Sequence, residues 1–170
     1  MRILMILIPD QEAAPPIAPI LRFERFLAPY YLFIDAGADV VLASPLGGDP
    51  AMRNAAGKRT DTSAMMLRFQ QDQTARDGLT DTLALCQVDP EDFDGAFCLG
   101  VTGGVWPPNI ANPAGAMVGA LLAAGKPVAV VPAELNLDPD GTGDGLLITG
   151  DRGEAPTLAA RALLGSLAGS

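Results

Sequence analysis

Lys126-Pro127-Val128-Ala129-Val130-Val131-Pro132-Ala133-Glu134-Leu135 reads as a short buried strand running straight into the start of a helix. Four apolar residues in a row, with no polar alternation, suit a strand covered on both faces, as in a parallel sheet. In many α/β enzymes the turn after such a strand holds an exposed Ser or Cys, flanked by N–H groups that hold an oxyanion. This chain has Pro132 there, with no nucleophilic atom and no N–H.

The same grammar repeats on either side. Residues 3–8 (Ile-Leu-Met-Ile-Leu-Ile) form another unbroken apolar run, read as a buried first strand rather than a leader, because Pro9-Asp10-Gln11-Glu12 follows at once. A broad apolar helix is expected over residues 20–36, closed by Gly37, with Pro29 predicting a kink or a late start. A second strand is expected at 39–43 and a polar, Gly- and Pro-rich connection at 44–62. One or two helices should cover 63–85, with Met65, Met66, Phe69 and Leu79 on the apolar face. Further strands are expected at 95–99, 128–131 and 146–149, and helices at 112–124 and 156–167. Asn112-Pro113 serve as N-cap and first helical residue of the former, and Gly125 ends it. Strand and helix alternate throughout, which implies an α/β fold: one flavodoxin-like, doubly wound parallel sheet with helices on both faces, in a single domain over residues 1–170. Ligands in such folds sit beyond the carboxyl ends of the strands. That rule groups Asp10, residues 101–104 and residues 132–134 around one crevice.

Composition narrows the function by exclusion. The 170 residues contain no histidine, so Ser–His and Cys–His pairs, an imidazole base and histidine-based zinc sites are all ruled out. A net charge of −9 argues against nucleic acid and anionic membrane surfaces as partners, and no run approaches a membrane span. Cys86 and Cys98 give no disulfide framework and no metal-ligand spacing. Both have apolar neighbours and read as buried, inert thiols in a cytoplasmic protein. Asp138, Asp140 and Asp144 lie among glycines, but their spacing is wrong for an EF-hand, and they read as a solvated turn. No metal and no cofactor are expected. Neither 100–104 nor 141–145 has the spacing of a dinucleotide fingerprint or a P-loop.

Several short motifs, taken in order, resemble the ThiJ/PfpI family, which is class I glutamine amidotransferase-like and includes chaperone, glyoxalase and deglycase-type proteins. They are Ala28-Pro29-Tyr30-Tyr31-Leu32-Phe33, Ala36-Gly37-Ala38-Asp39-Val40 and Ala43-Ser44-Pro45-Leu46-Gly47-Gly48. They continue with Asp92-Phe93-Asp94-Gly95-Ala96-Phe97, Gly100-Val101-Thr102-Gly103-Gly104-Val105-Trp106, the strand before Pro132, and Leu147-Ile148-Thr149-Gly150. The resemblance implies a working Cys, a His after it and a Glu on the first helix. Those places fall here on Pro132, Ala133 and Arg25, with Glu24 one residue away, about 100° around the helix. The family's Gly-Gly-His-Gly loop becomes Gly100-Val101-Thr102-Gly103, and a β-branched Val tolerates positive φ badly. The link from Pro132 to Asp144 is also shorter than the resemblance implies.

The expectation is therefore a catalytically degenerate member, a pseudoenzyme without Cys-dependent amidase, glyoxalase, deglycase or peptidase activity. It would bind a small molecule or a partner at the former crevice, lined by Arg25, Val101, Thr102, Gly103, Trp106, Pro132 and Ala133. The resemblance also implies a homodimer. Two alternatives stand beside it. One is a repurposed lyase, isomerase, hydratase or cyclase working through the carboxylates Glu134, Asp10 or Glu24, with paired carboxyl groups dividing the acid and base roles. The other is an oligomeric interaction module. Tyr30 and Tyr31 read as core, dimer or pocket residues.

Overall fold

A computed structural model describes residues 1–8, 23–48, 50, 64–100, 113–131, 145–149 and 155–169. These contain strands β1 (Arg2–Leu7), β2 (Asp39–Ser44), β3 (Leu83–Ala84), β4 (Gly95–Leu99), β5 (Val128–Val131) and β6 (Leu147–Thr149). The helices are α1 (Phe23–Asp35), α2 (Ala64–Gln71), α3 (Gln73–Thr80), α4 (Pro113–Ala123) and α5 (Ala155–Ala168).

The strand order is β3-β2-β1-β4-β5-β6, and every pairing is parallel. Without the two-residue edge β3, this is the flavodoxin-like order. Two-sided burial explains the unbroken apolar runs. Ile3, Met5 and Leu7 of β1 join Phe97, Leu99, Ala129 and Val131 on one face, beneath α1 and α5 and beside α2–α3. Leu4, Ile6, Ala96, Cys98, Val128 and Val130 point the other way, against Met117, Val118, Leu121 and Leu122 of α4.

Both helices expected to end on glycine do so by the same device. Gly37 and Gly125 take φ of 76° and 75°. The Gly37 and Ala38 N–H groups donate to Ile34 and Phe33 carbonyls, and those of Gly125 and Lys126 donate to Leu122 and Leu121. This crossed pair satisfies the last helical carbonyls and requires a left-handed residue at the glycine.

Several expectations need correction. Pro29 lies inside α1 and does not mark a late start, and residues 20–22 fall outside the described residues. The 63–85 region is two helices, because Asp72 leaves the helical path (φ −88°, ψ 93°) and its side chain accepts from the Ala75 N–H to start α3. Phe69 and Leu79 are buried and Met66 packs against the core, but Met65 is 44% exposed. β3 was not expected. Ser44, expected in the connection, ends β2, is buried and accepts from the Gly47 N–H at 2.9 Å. Tyr30 and Tyr31 belong to the core. Cys98 is buried as expected, whereas Cys86 is exposed on a 3-10 turn, Leu85–Gln87. Among the described residues no helix is long and apolar enough to cross a membrane.

Candidate functional site at the carboxyl edge of the sheet

β1, β4 and β5 end side by side. The Ile8 N–H donates to Leu99 O and the Gly100 N–H donates to Val131 O, each at 2.9 Å, so the three strand ends are laced at one edge. Between β1 and β4 the chain's direction of travel through the sheet reverses: β1 leads by α1 to β2 on one side, and β4 leads by α4 to β5 on the other. With α1 and α4 on opposite faces, the gap between their starts is the switch point at which such sheets hold ligands.

The sequence-predicted residues divide sharply against this frame. Asp10, Val101, Thr102, Gly103, Trp106, Pro132, Ala133 and Glu134 lie outside the described residues, as do Asp138, Asp140 and Asp144. In sequence, however, Asp10 follows the Ile8 end, Val101 follows Gly100 and Pro132 follows Val131, three points that the two hydrogen bonds bring together. Glu24 and Arg25 occupy the first turn of α1, the element that leaves this edge, and Arg25 is half-buried.

The two thiols are separated from this edge chemistry in different ways. Cys98 is 0% exposed in β4, paired across the ladders with Ile6 and Val130. Burial pushes its thiol up to about 12, so it is a neutral core group near neutral pH and no nucleophile. Cys86 follows β3, three strand positions from β4, or about 14 Å at ordinary strand spacing. Among the described residues no group of three His, Cys, Asp or Glu could hold a metal ion.

The most elaborate polar arrangement among the described residues was not foreseen. Tyr31 O–H donates to Asp72 Oδ2 at 3.3 Å, and the Arg68 guanidinium lies 4.0 Å from the Tyr31 ring centroid. Arg68 also forks onto Asp35 at 2.9 and 2.6 Å. Burial, and then the Asp72 carboxylate, push the Tyr31 phenol up to about 12, and the same two causes raise Tyr30. The hydrogen bond of Arg68 holds Asp35 below the ordinary carboxylate value. The local signals are two four-residue steps, Tyr31 to Asp35 on α1 and Arg68 to Asp72 at α2, but the two pairs are distant from each other in sequence.

No protein-family profile and no curated protein sequence matches the chain. Solved structures do. The protein APC35852 superposes with a TM-score of 0.69 at 18% identity, over 99% of this chain and 98% of that one. The Francisella tularensis Rapid Encystment Protein 24 kDa (REP24) gives 0.64 at 16% identity, over 98% of both chains. Drosophila melanogaster DJ-1beta gives 0.55 at 19% identity, over 99% of this chain and 91% of that one. The last two are ThiJ/PfpI-family folds. The chain shares its parallel α/β architecture with these structures. At these identities the likeness establishes architecture, in agreement with the motif order read from the sequence.

Proposed function

We propose that this protein is a catalytically degenerate, shortened ThiJ/PfpI-like protein that binds a small molecule at the carboxyl edge between β1, β4 and β5. The observation that carries the reading is the end of β5. The strand finishes at Val131, so the residue at its exit is Pro132, followed by Ala133, where the resembling family has its nucleophile and histidine. The described thiols offer no substitute, since Cys98 is sealed in the core and Cys86 follows the far edge strand. The absence of histidine from the whole chain removes an imidazole base as well. Arg25, Val101, Thr102, Gly103, Trp106, Pro132 and Ala133 are the proposed lining, in a cytoplasmic homodimer.

A thermal-shift screen against metabolites and metal ions tests this. A ligand at a hundred times its Kd adds about 2.7 kcal/mol, which is roughly 5–10 °C for a chain of this size. A hit that Trp106→Ala or Glu134→Ala abolishes, without turnover, supports binding alone. Turnover of that hit, lost in Glu134→Ala, Asp10→Ala or Glu24→Ala, replaces the reading with carboxylate acid–base catalysis. A blank screen with working controls transfers it to an interaction module. Amidase, glyoxalase, deglycase or peptidase activity that disappears in Cys98→Ala or Glu24→Ala overturns it.

A further inference from the structure

Residues 64–84 are held differently from the layers around them. α2 and α3 have eight residues each, about two turns, too short to persist as isolated helices. They contribute Phe69, Ala75 and Leu79 to the core, whereas Met65 and Leu67 face outward at 44% and 48% exposed. β3 adds two pairs at the open edge of the sheet. β4 and β5, by contrast, bury every residue.

Two sets of contacts tie this unit to α1. The Phe69 ring meets Phe23 and Phe26 at 5.3 and 6.3 Å between centroids. The polar cluster of Tyr31, Asp72, Arg68 and Asp35 lies alongside. Asp72 carries two duties on one carboxylate: Oδ1 accepts from the Ala75 N–H and starts α3, while Oδ2 accepts from the Tyr31 hydroxyl and fastens the α2–α3 junction to α1.

We propose that residues 64–84 open and close on the sheet as one cooperative unit, latched at Asp72, and that opening uncovers the aromatic face of α1 formed by Phe23, Phe26 and Tyr31. Elements with few buried apolar groups and an edge position make up the low-stability end of a native protein's opening spectrum. Because one carboxylate both nucleates α3 and fastens it to α1, removing the Asp72 side chain releases both contacts together. α1 also bears Glu24 and Arg25. A link to ligand binding rests on the functional reading above, whereas the opening does not.

Native-state hydrogen exchange of the full chain, read by mass spectrometry in low denaturant, is the test. The amides of 64–84 should exchange together, on the order of a hundredfold faster than those of β1, β4 and β5. Asp72→Ala should accelerate that unit by a further tenfold or so and leave the three central strands unchanged. Asp72→Asn keeps the capping oxygen and turns its amide NH2 towards the Tyr31 hydroxyl oxygen, which can accept from it, so most of the protection should be restored. Tyr31→Phe, which leaves the cap in place, should accelerate the unit about fivefold. Exchange of 64–84 at the rate of β1 would overturn the proposal. So would acceleration by Tyr31→Phe that is equal in all segments.

Discussion

Replacing Cys98 with alanine tests whether this thiol is core filling, and pH gives the test a sign. The side chain is 0% exposed among Ile6, Val130 and the α4 face. Removing one sulfur-sized group resembles deleting a methylene and should cost about 1 kcal/mol, or roughly 2–4 °C in Tm. The thiol also titrates differently in the two states. Burial raises it from 9.0 in the unfolded chain to about 12 in the fold. Because the folded value is the higher one, its contribution is complete below pH 9 and is lost as pH rises from 9 towards 12. At pH 10 ionisation stabilises the unfolded chain by on the order of 1 kcal/mol, and the folded protein gains almost none of it. Cys98→Ala lacks that group and shares every other one with the parent. Urea denaturation at pH 7 should therefore show the variant about 1 kcal/mol less stable, and at pH 10 the gap should close or slightly invert. A thiol reagent should count one reactive cysteine in the native protein and two in urea. A stability gap identical at both pH values, or prompt modification of native Cys98, would refute the reasoning.

Gly145→Ala should destabilise the protein by about 1–3 kcal/mol, because an added Cβ would lie 2.6 Å from Leu122 O and 2.9 Å from Lys126 O, both backbone atoms. Gly119→Ala, inside α4 with nothing within 4 Å of the new Cβ, should instead stabilise it by roughly 0.5–1 kcal/mol; paired thermal melts compare the two. Spectrophotometric titration at pH 10.5 should find less phenolate in the native protein than in urea, since Tyr31 is pushed up to about 12 and Tyr30 is also raised. Stability from these phenols is full below pH 10 and declines above it.

The central strands were legible because burial on both faces leaves a plain mark. Gly95–Leu99 and Val128–Val131 were expected at their observed bounds, and Gly37 and Gly125 marked two helix ends. β3 left no mark, since two residues cannot show a period and their pairing to Ala43 and Ser44 is non-local. Cys86 misled through its neighbours: Leu85 and Val88 turn inward, but a tight 3-10 turn sends Cys86 and Gln87 between them to solvent. Met65 misled through helix phase, because Met66, three residues before Phe69, takes the inward position. At the candidate site, motif order placed Asp10, Val101 and Pro132 after three strands, and the fold laces those strand ends together. The Asp72 cluster was illegible because two of its four members lie on α1, which only tertiary packing brings near.

The position of β1 in the sheet has a consequence during synthesis. Ile3, Leu4, Met5, Ile6 and Leu7 are fully buried, and β4 supplies one of the two ladders that pair with them. Ile3 pairs with Gly95, 92 residues later. At ribosomal rates of about 5–20 residues per second, the segment waits roughly 5–18 s for that partner. Throughout the wait it is a charge-free, proline-free apolar hexamer of the kind that self-associates. A stretch fully buried in the finished fold is therefore an exposed liability in the nascent one. Yield in cells should depend on how fast translation reaches residue 99 and on chaperone capacity, more than on the stability of the finished protein.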